Sequence, residues 1–79
     1  MPLPVLEQYL DVAYDPVQNH YLVWVVQYSQ ITSSIAIKSS STISVIAKRL
    51  GCPVYTDHLG LALALDKQGI TVIRHRFGA

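Results

Sequence analysis

Residues 20–28, HYLVWVVQY, are apolar on both faces of the strand that they predict. Successive side chains of a β-strand point to opposite faces of its sheet. One face therefore carries His20, Leu22, Trp24, Val26 and Tyr28, and the other carries Tyr21, Val23 and Val25. A small antiparallel sheet normally leaves one polar face to solvent. We therefore expect a helix of the same chain to cover one face and a second copy of the chain to cover the other.

The composition also favours self-association. Hydrophobic residues make up 51% of the 79 residues and charged residues only 14%, against a usual charged share of about 25%. A chain this short buries only about 60–65% of the surface that its unfolded form exposes. Contiguous apolar patches that stay exposed usually mark an interface. The sequence predicts a homo-oligomer, a dimer or larger, and the predicted interface residues are Tyr21, Val23, Trp24 and Val25.

The first part of the chain predicts a β-hairpin. Asp15 and Pro16 favour a turn, Asn19 tolerates left-handed geometry, and the flanking segments are rich in Val and Tyr. The predicted strands are residues 6–14 and 20–28. Residues 30–41, QITSSIAIKSSS, follow without Gly or Pro, and Ile35 and Ile37 alternate with Ala36 and Lys38, which predicts a short edge strand or an extended linker.

A central helix is predicted over about residues 41–50. Ser40, Ser41 or Thr42 is expected to cap its first amides, and Gly51 and Pro53 end it. The basic residues Lys48 and Arg49 lie in the last turn, where the helix dipole favours cations. Apolar side chains recur on one helical face at Ile43, Ile46, Ala47 and Leu50.

The last segment, LGLALALDKQGITVI, fits two structures. Three Leu residues at positions 61, 63 and 65 alternate with Gly or Ala, and Gly69 stands before a β-branched run; this pattern predicts a second hairpin. However, Leu and Ala are also strong helix formers, and Thr56 and Gly69 would suit the two ends of a helix. We favour the hairpin. With it, the chain is a single α+β domain over residues 1–79, in which one central helix lies between two hairpins.

A reducing, cytoplasmic setting is the expectation from the cysteine content. Cys52 is the only cysteine and has no partner for an internal disulfide. The first residues lack the basic start and apolar run of a secretory signal. The longest apolar run, residues 21–26, is far below the roughly 20 residues of a membrane-spanning helix.

Charge is unevenly distributed along the chain. Residues 1–37 contain three acids and no Lys or Arg, whereas residues 38–79 contain all six Lys and Arg. Such a split suits head-to-tail assembly or a patch that faces a polyanion. The candidate polyanion contacts are Lys48, Arg49, Arg74, His75 and Arg76. Alternatively, the charges at 74–76 end the last strand and discourage edge-to-edge pairing.

The segment STISVIAKRLGCP, residues 41–53, contains a motif that resembles the first helix of winged helix-turn-helix DNA-binding domains; the resemblance covers only residues 42–53. In that family a small residue at the helix crossing and a Gly four positions later let two helices pack closely. Ala47 and Gly51 occupy these positions.

The resemblance implies a recognition helix over residues 55–69 and a wing that starts at residue 70. It places Thr56, His58 and Lys67 near the duplex, with Arg74 and Arg76 on phosphates. The sequence departs from the family pattern after residue 51, because positions that should be apolar in the second helix hold Asp and Gly. DNA binding therefore stays the alternative interpretation.

Catalytic chemistry has little support in the sequence. Cys52, Asp57 and His58 are the only close set of nucleophile, acid and base types, and zinc requires four ligands at characteristic spacings. We predict no enzyme, cofactor or metal site. The favoured interpretation is a small non-enzymatic protein-interaction or regulatory module that acts as a homo-oligomer. The alternative is a winged-helix-like DNA-binding regulator, which requires a helix within residues 56–69.

Overall fold

A computed structural model describes residues 8–74, which form five strands and two helices. In chain order these are β1 Gln8–Asp15, β2 His20–Gln27, β3 Gln30–Ile37, α1 Ser40–Leu50, β4 Val54–Thr56, α2 Leu59–Lys67 and β5 Val72–Ile73. The strands make one sheet in the order β3-β2-β1-β4-β5. The α+β class is confirmed, but the sheet is mixed rather than a pair of hairpins. None of the helices within residues 8–74 is both long and apolar enough to span a membrane.

The N-terminal hairpin is confirmed, but its strands are Gln8–Asp15 and His20–Gln27 rather than 6–14 and 20–28, and residues 6 and 7 lie outside the described residues. β1 pairs antiparallel with β2, with Asp15 opposite His20 at the turn. The Asp15 carboxylate accepts a hydrogen bond from the Val17 amide at 3.0 Å, and Asn19 takes the left-handed conformation with φ of 54°. This is the side-chain to backbone bonding that makes Asp favourable at the start of a turn.

Residues 30–37 form a full strand at one edge of the sheet. β3 pairs antiparallel with β2, and Tyr28 and Ser29 make the connecting turn with positive φ values. The pairing shifts register between Val25 and Val26, so one additional residue of β3, Thr32, lies opposite this step. Of the two predicted possibilities, an edge strand or a linker, the strand is confirmed, and it is long.

The central helix is confirmed, with a correction to its N-cap. α1 covers Ser40–Leu50, and its cap is Ser39, whose side chain accepts a hydrogen bond from the Ser41 amide at 3.2 Å. Gly51 ends the helix with φ of 66°, a conformation that lacks a steric penalty only for Gly. The predicted caps Ser40, Ser41 and Thr42 therefore lie within the helix or its first turn.

The predicted C-terminal hairpin is wrong. Residues 59–67 form α2, and the short strand β5 that follows pairs parallel with β4 rather than antiparallel with a preceding strand. In this helix Leu61 and Leu63 point to different sides: Leu61 is fully buried, whereas Leu63 is 55% exposed. Because parallel neighbours need a crossover connection, α2 links the end of β4 to the start of β5.

Both helices contribute to one core on the same side of the sheet. The core contains Leu10 and Val12 of β1, Val23 of β2, Ile37 of β3, Ile43 and Ala47 of α1, Val54 of β4, Leu61 and Leu65 of α2, and Ile70. Side chains alternate along each strand, so their neighbours in sequence point away from the helices. We call that second surface the open face, made by Tyr9, Asp11, Ala13, Leu22, Trp24, Val26, Ser34, Ala36 and Tyr55.

Candidate interaction site

Trp24 lies at the centre of the open face. The strand register places Trp24 directly opposite Asp11 on one side and Ser34 on the other, and Asp11 is opposite Tyr55. The rings of Tyr9 and Tyr55 are in contact, with centroids 4.7 Å apart. The middle of this surface is therefore aromatic and carries one carboxylate.

Grooves flank Trp24 on both sides. A shallow groove of about 260 Å³ separates it from β3 and is lined by Leu22, Ser34 and Ala36 among others. A larger groove of about 670 Å³ lies toward the ends of β1 and β4. Its lining side chains include Asp11, Tyr14, Pro16, Trp24, Asp57 and His58. Leu22 and Trp24 are only partly buried, and no helix within residues 8–74 packs over them.

The four predicted interface residues lie on two different faces. Val23 is 1% exposed in the core, and Tyr21 and Val25 pack against the same core beneath the helices. Only Trp24 belongs to the open face. Val23 is thus not available to a second copy in this fold. Leu22, which was not among the predicted interface residues, lies beside Trp24 on the open face. The alternation in β2 contained this signal, because Leu22 and Trp24 share a face.

His58 has a structural role at the start of α2. Its Nδ1 atom accepts a hydrogen bond from the Leu61 amide at 3.1 Å, which caps the helix, and its own amide donates to Thr56 Oγ1 at 3.2 Å. Its ring also contacts Tyr14, with centroids 4.5 Å apart. The helical alternative to the predicted hairpin had Thr56 as its cap, but Thr56 is the last residue of β4 and is fully buried.

Cys52 is separated from Asp57 and His58 by the length of β4. Cys52 precedes this strand and the other two residues follow it. Burial raises the pKa of the Cys52 thiol, and a backbone hydrogen bond with Leu10 lowers it by less. A raised pKa disfavours the nucleophilic thiolate near neutral pH. Within residues 8–74, no group of three or more His, Cys, Asp or Glu side chains is placed to hold a metal ion.

Among the described residues, the structure places Lys48 and Arg49 apart from Arg74. Lys48 and Arg49 are in the last turn of α1, which leads to the start of β4. Arg74 follows β5, and its Nη2 atom donates to the Asp57 carbonyl at 3.2 Å, beyond the opposite end of β4. His75 and Arg76 lie outside the described residues. The three described candidates for polyanion contact thus lie near opposite ends of the short parallel strands.

The two helices are not joined by a short turn. Residues 51–58 connect them, and β4 lies within this segment, paired with both β1 and β5. Helix-turn-helix units use a turn of about three or four residues. Leu61, Ala62 and Leu65 of α2 are buried, so that side of the helix packs against the sheet and α1.

Comparison of the chain with protein-family models, with curated proteins and with solved structures gives no significant match. The geometry of the molecule is thus the basis for its functional assignment.

Proposed function

We propose that this chain is a small non-enzymatic protein-interaction module that acts as a homo-oligomer, with the open face as the contact between copies. The main supporting observation is that Leu22 and Trp24 are partly exposed at the centre of a sheet whose other side packs against α1 and α2. Aromatic side chains of this kind supply most of the binding energy of many interfaces.

Two copies would pack their sheets face to face. Sheets in such sandwiches lie about 10 Å apart and interdigitate their side chains. The grooves on either side of Trp24 would receive side chains of the other copy. Asp11 borders the larger groove, which opens toward Asp57 and the β1–β2 turn. Because Asp11 lies beside Trp24, this packing requires its carboxylate to stay in contact with the larger groove, since a charge buried without compensation is costly. The cytoplasmic setting remains a prediction from Cys52.

Self-association is tested by measuring solution mass across a dilution series. The wild-type chain is expected to dissociate on dilution, and Trp24→Lys should weaken association by about tenfold or more. Since Trp24 is the only tryptophan, its emission should also shift to shorter wavelength as the chain associates. Val17→Lys, in the exposed β1–β2 turn, is the matched control and should leave both readouts unchanged. A wild-type monomer throughout the micromolar range would contradict the proposal.

DNA binding is the second candidate, and the helical state of residues 59–67 is the observation in its favour. Its expected contacts are less favourable, because Thr56 is buried and His58 caps α2. Binding through phosphates predicts retention on duplex DNA that falls steeply with salt. That retention should disappear in the double variant Arg74→Ala, Arg76→Ala. A salt-independent or unchanged retention would remove this candidate.

A further inference from the structure

The two edges of the sheet differ in how they are protected. β5 forms one edge, contains two residues, and is followed directly by Arg74. β3 forms the other edge, contains eight residues, and has neither a charged residue nor a proline. Short strands, charges and prolines are the usual means of preventing a bare edge from pairing with another chain. A cation directly follows each strand, Lys38 after β3 and Arg74 after β5, so the difference between the two edges is the length of the strand.

The regular part of the β3 edge is Ser33–Ile37. The register shift puts the irregular residue, Thr32, before this stretch, and the Thr32 hydroxyl donates to the Val25 carbonyl at 3.2 Å. From Ser33 to Ile37 the pairing with β2 is regular. In an antiparallel pair alternate residues direct their amide and carbonyl groups away from the neighbouring strand. This stretch therefore presents regularly spaced backbone groups to solvent along the edge of the sheet.

We propose that Ser33–Ile37 pairs antiparallel with the same segment of a second copy, centred on Ile35, so that one sheet continues through both copies. The pairing adds a strand to an exposed edge, with main-chain hydrogen bonds as its principal contact. It uses the edge of the sheet and not the open face, so it does not depend on the proposed face-to-face packing.

The segment is complementary to itself. A two-fold axis at Ile35 puts the two Ile35 side chains opposite each other, and each is 45% exposed in one copy. The same axis pairs Ser34 with Ala36, which are both small, and no like charges meet. Cross-strand pairs of β-branched residues stabilise a sheet by about 0.2–1 kcal/mol each relative to alanine.

A second β3 also fits better than the other edge of the molecule. Pairing β3 with β5 of another copy would engage only two residues and would bring Arg74 against the uncharged strand. Head-to-tail pairing would also propagate without end, whereas pairing between identical segments uses each free edge once and closes as a dimer. Both outer edges of that dimer would be the short, Arg-flanked β5.

Amide hydrogen exchange measured by NMR tests this contact residue by residue. The Trp24→Lys chain is used so that packing of the open face does not contribute. Alternate amides within Ser33–Ile37 should exchange about fivefold more slowly, or better, in a millimolar sample than in a dilute one. Amides of β5 serve as the internal control and should not change. Concentration-independent exchange throughout β3 would overturn the proposal, even if the edge bound an unrelated extended peptide.

Charge exchange at the centre of the segment tests its orientation. Ile35→Lys and Ile35→Glu should each abolish the concentration-dependent protection, because like charges would then lie opposite each other. An equimolar mixture of the two should restore a dimer that contains one copy of each. The same pair of substitutions at Ile31, on the other side of the irregularity and 65% exposed, is the matched control. A mixture that associates no better than either variant alone would exclude pairing about Ile35.

Discussion

Replacement of Leu61 by alanine should lower the free energy of unfolding by about 2–5 kcal/mol. Leu61 is fully buried in the core between α2 and the sheet. Its truncation leaves a cavity that its neighbours, which include Leu65 and Ile43, fill only in part. The loss is a large fraction of the total stability of a domain of this size. Urea denaturation followed by circular dichroism measures it.

Leu63→Ala is the matched control, with the same substitution one half-turn away on the same helix. Leu63 is 55% exposed, so its removal should change the free energy of unfolding by no more than about 0.5 kcal/mol. The comparison also tests the secondary structure, because Leu61 and Leu63 would share one face of a strand. Equal losses in the two variants would contradict the helix.

The second large effect is expected at Val23. A lysine at this position would place a charge among apolar side chains of the core, and Val23→Lys should destabilise the chain by more than about 4 kcal/mol. The variant should be unfolded, or close to it, by circular dichroism and by the dispersion of its NMR spectrum. A folded Val23→Lys chain would mean that the core does not lie where Val23 does.

Trp24→Lys is the matched control for Val23→Lys. It introduces the same charge one residue further along β2, on the open face, where Trp24 remains partly exposed. This variant should keep its native secondary structure and lose stability by far less than Val23→Lys. Loss of folding in both variants would show that the open face is as closed to water as the core. The pair thus separates fold stability from the self-association assigned to Trp24.

Local signals in the sequence were sufficient for the N-terminal hairpin and for α1. Asp15 bonds to the following amides, and Gly51 has the left-handed conformation that ends a helix. Both features depend on residues within one turn of each other. The turn of the hairpin and the end of α1 therefore follow from local chemistry, whereas the N-cap of α1, Ser39, was not predicted.

The C-terminal part could not be decided in this way. Alternating Leu and Ala fit a strand by period and a helix by propensity, and the choice depends on β4. This strand has only three residues, Val54–Thr56, too few to produce a periodic pattern. It pairs with Leu10–Val12 of β1, a contact between residues more than forty positions apart. Once β4 joins the sheet in parallel, the following segment must cross over before β5 can pair.

The candidate site was predicted only in part for a related reason. The sequence indicated that both faces of β2 are apolar and that one would lack cover. It did not indicate which face the helices would occupy, because that depends on the register of β2 with β1 and on the placement of Ile37. Trp24 was identified, and Leu22 was missed. The candidate polyanion contacts included both Lys48 and Arg74, and the order of elements separates these two residues.

The position of β1 between β2 and β4 has a consequence for how the chain folds during synthesis. β1 gains its first neighbour as soon as the hairpin emerges, but its other side waits for residues 54–56, after β3 and α1 have been made. Until then the three-stranded sheet of β1, β2 and β3 has an unpaired edge at β1 as well as at β3. Slow non-local pairing prolongs the exposure of such strands. Substitutions that slow the pairing of β4 with β1 should therefore increase aggregation during refolding.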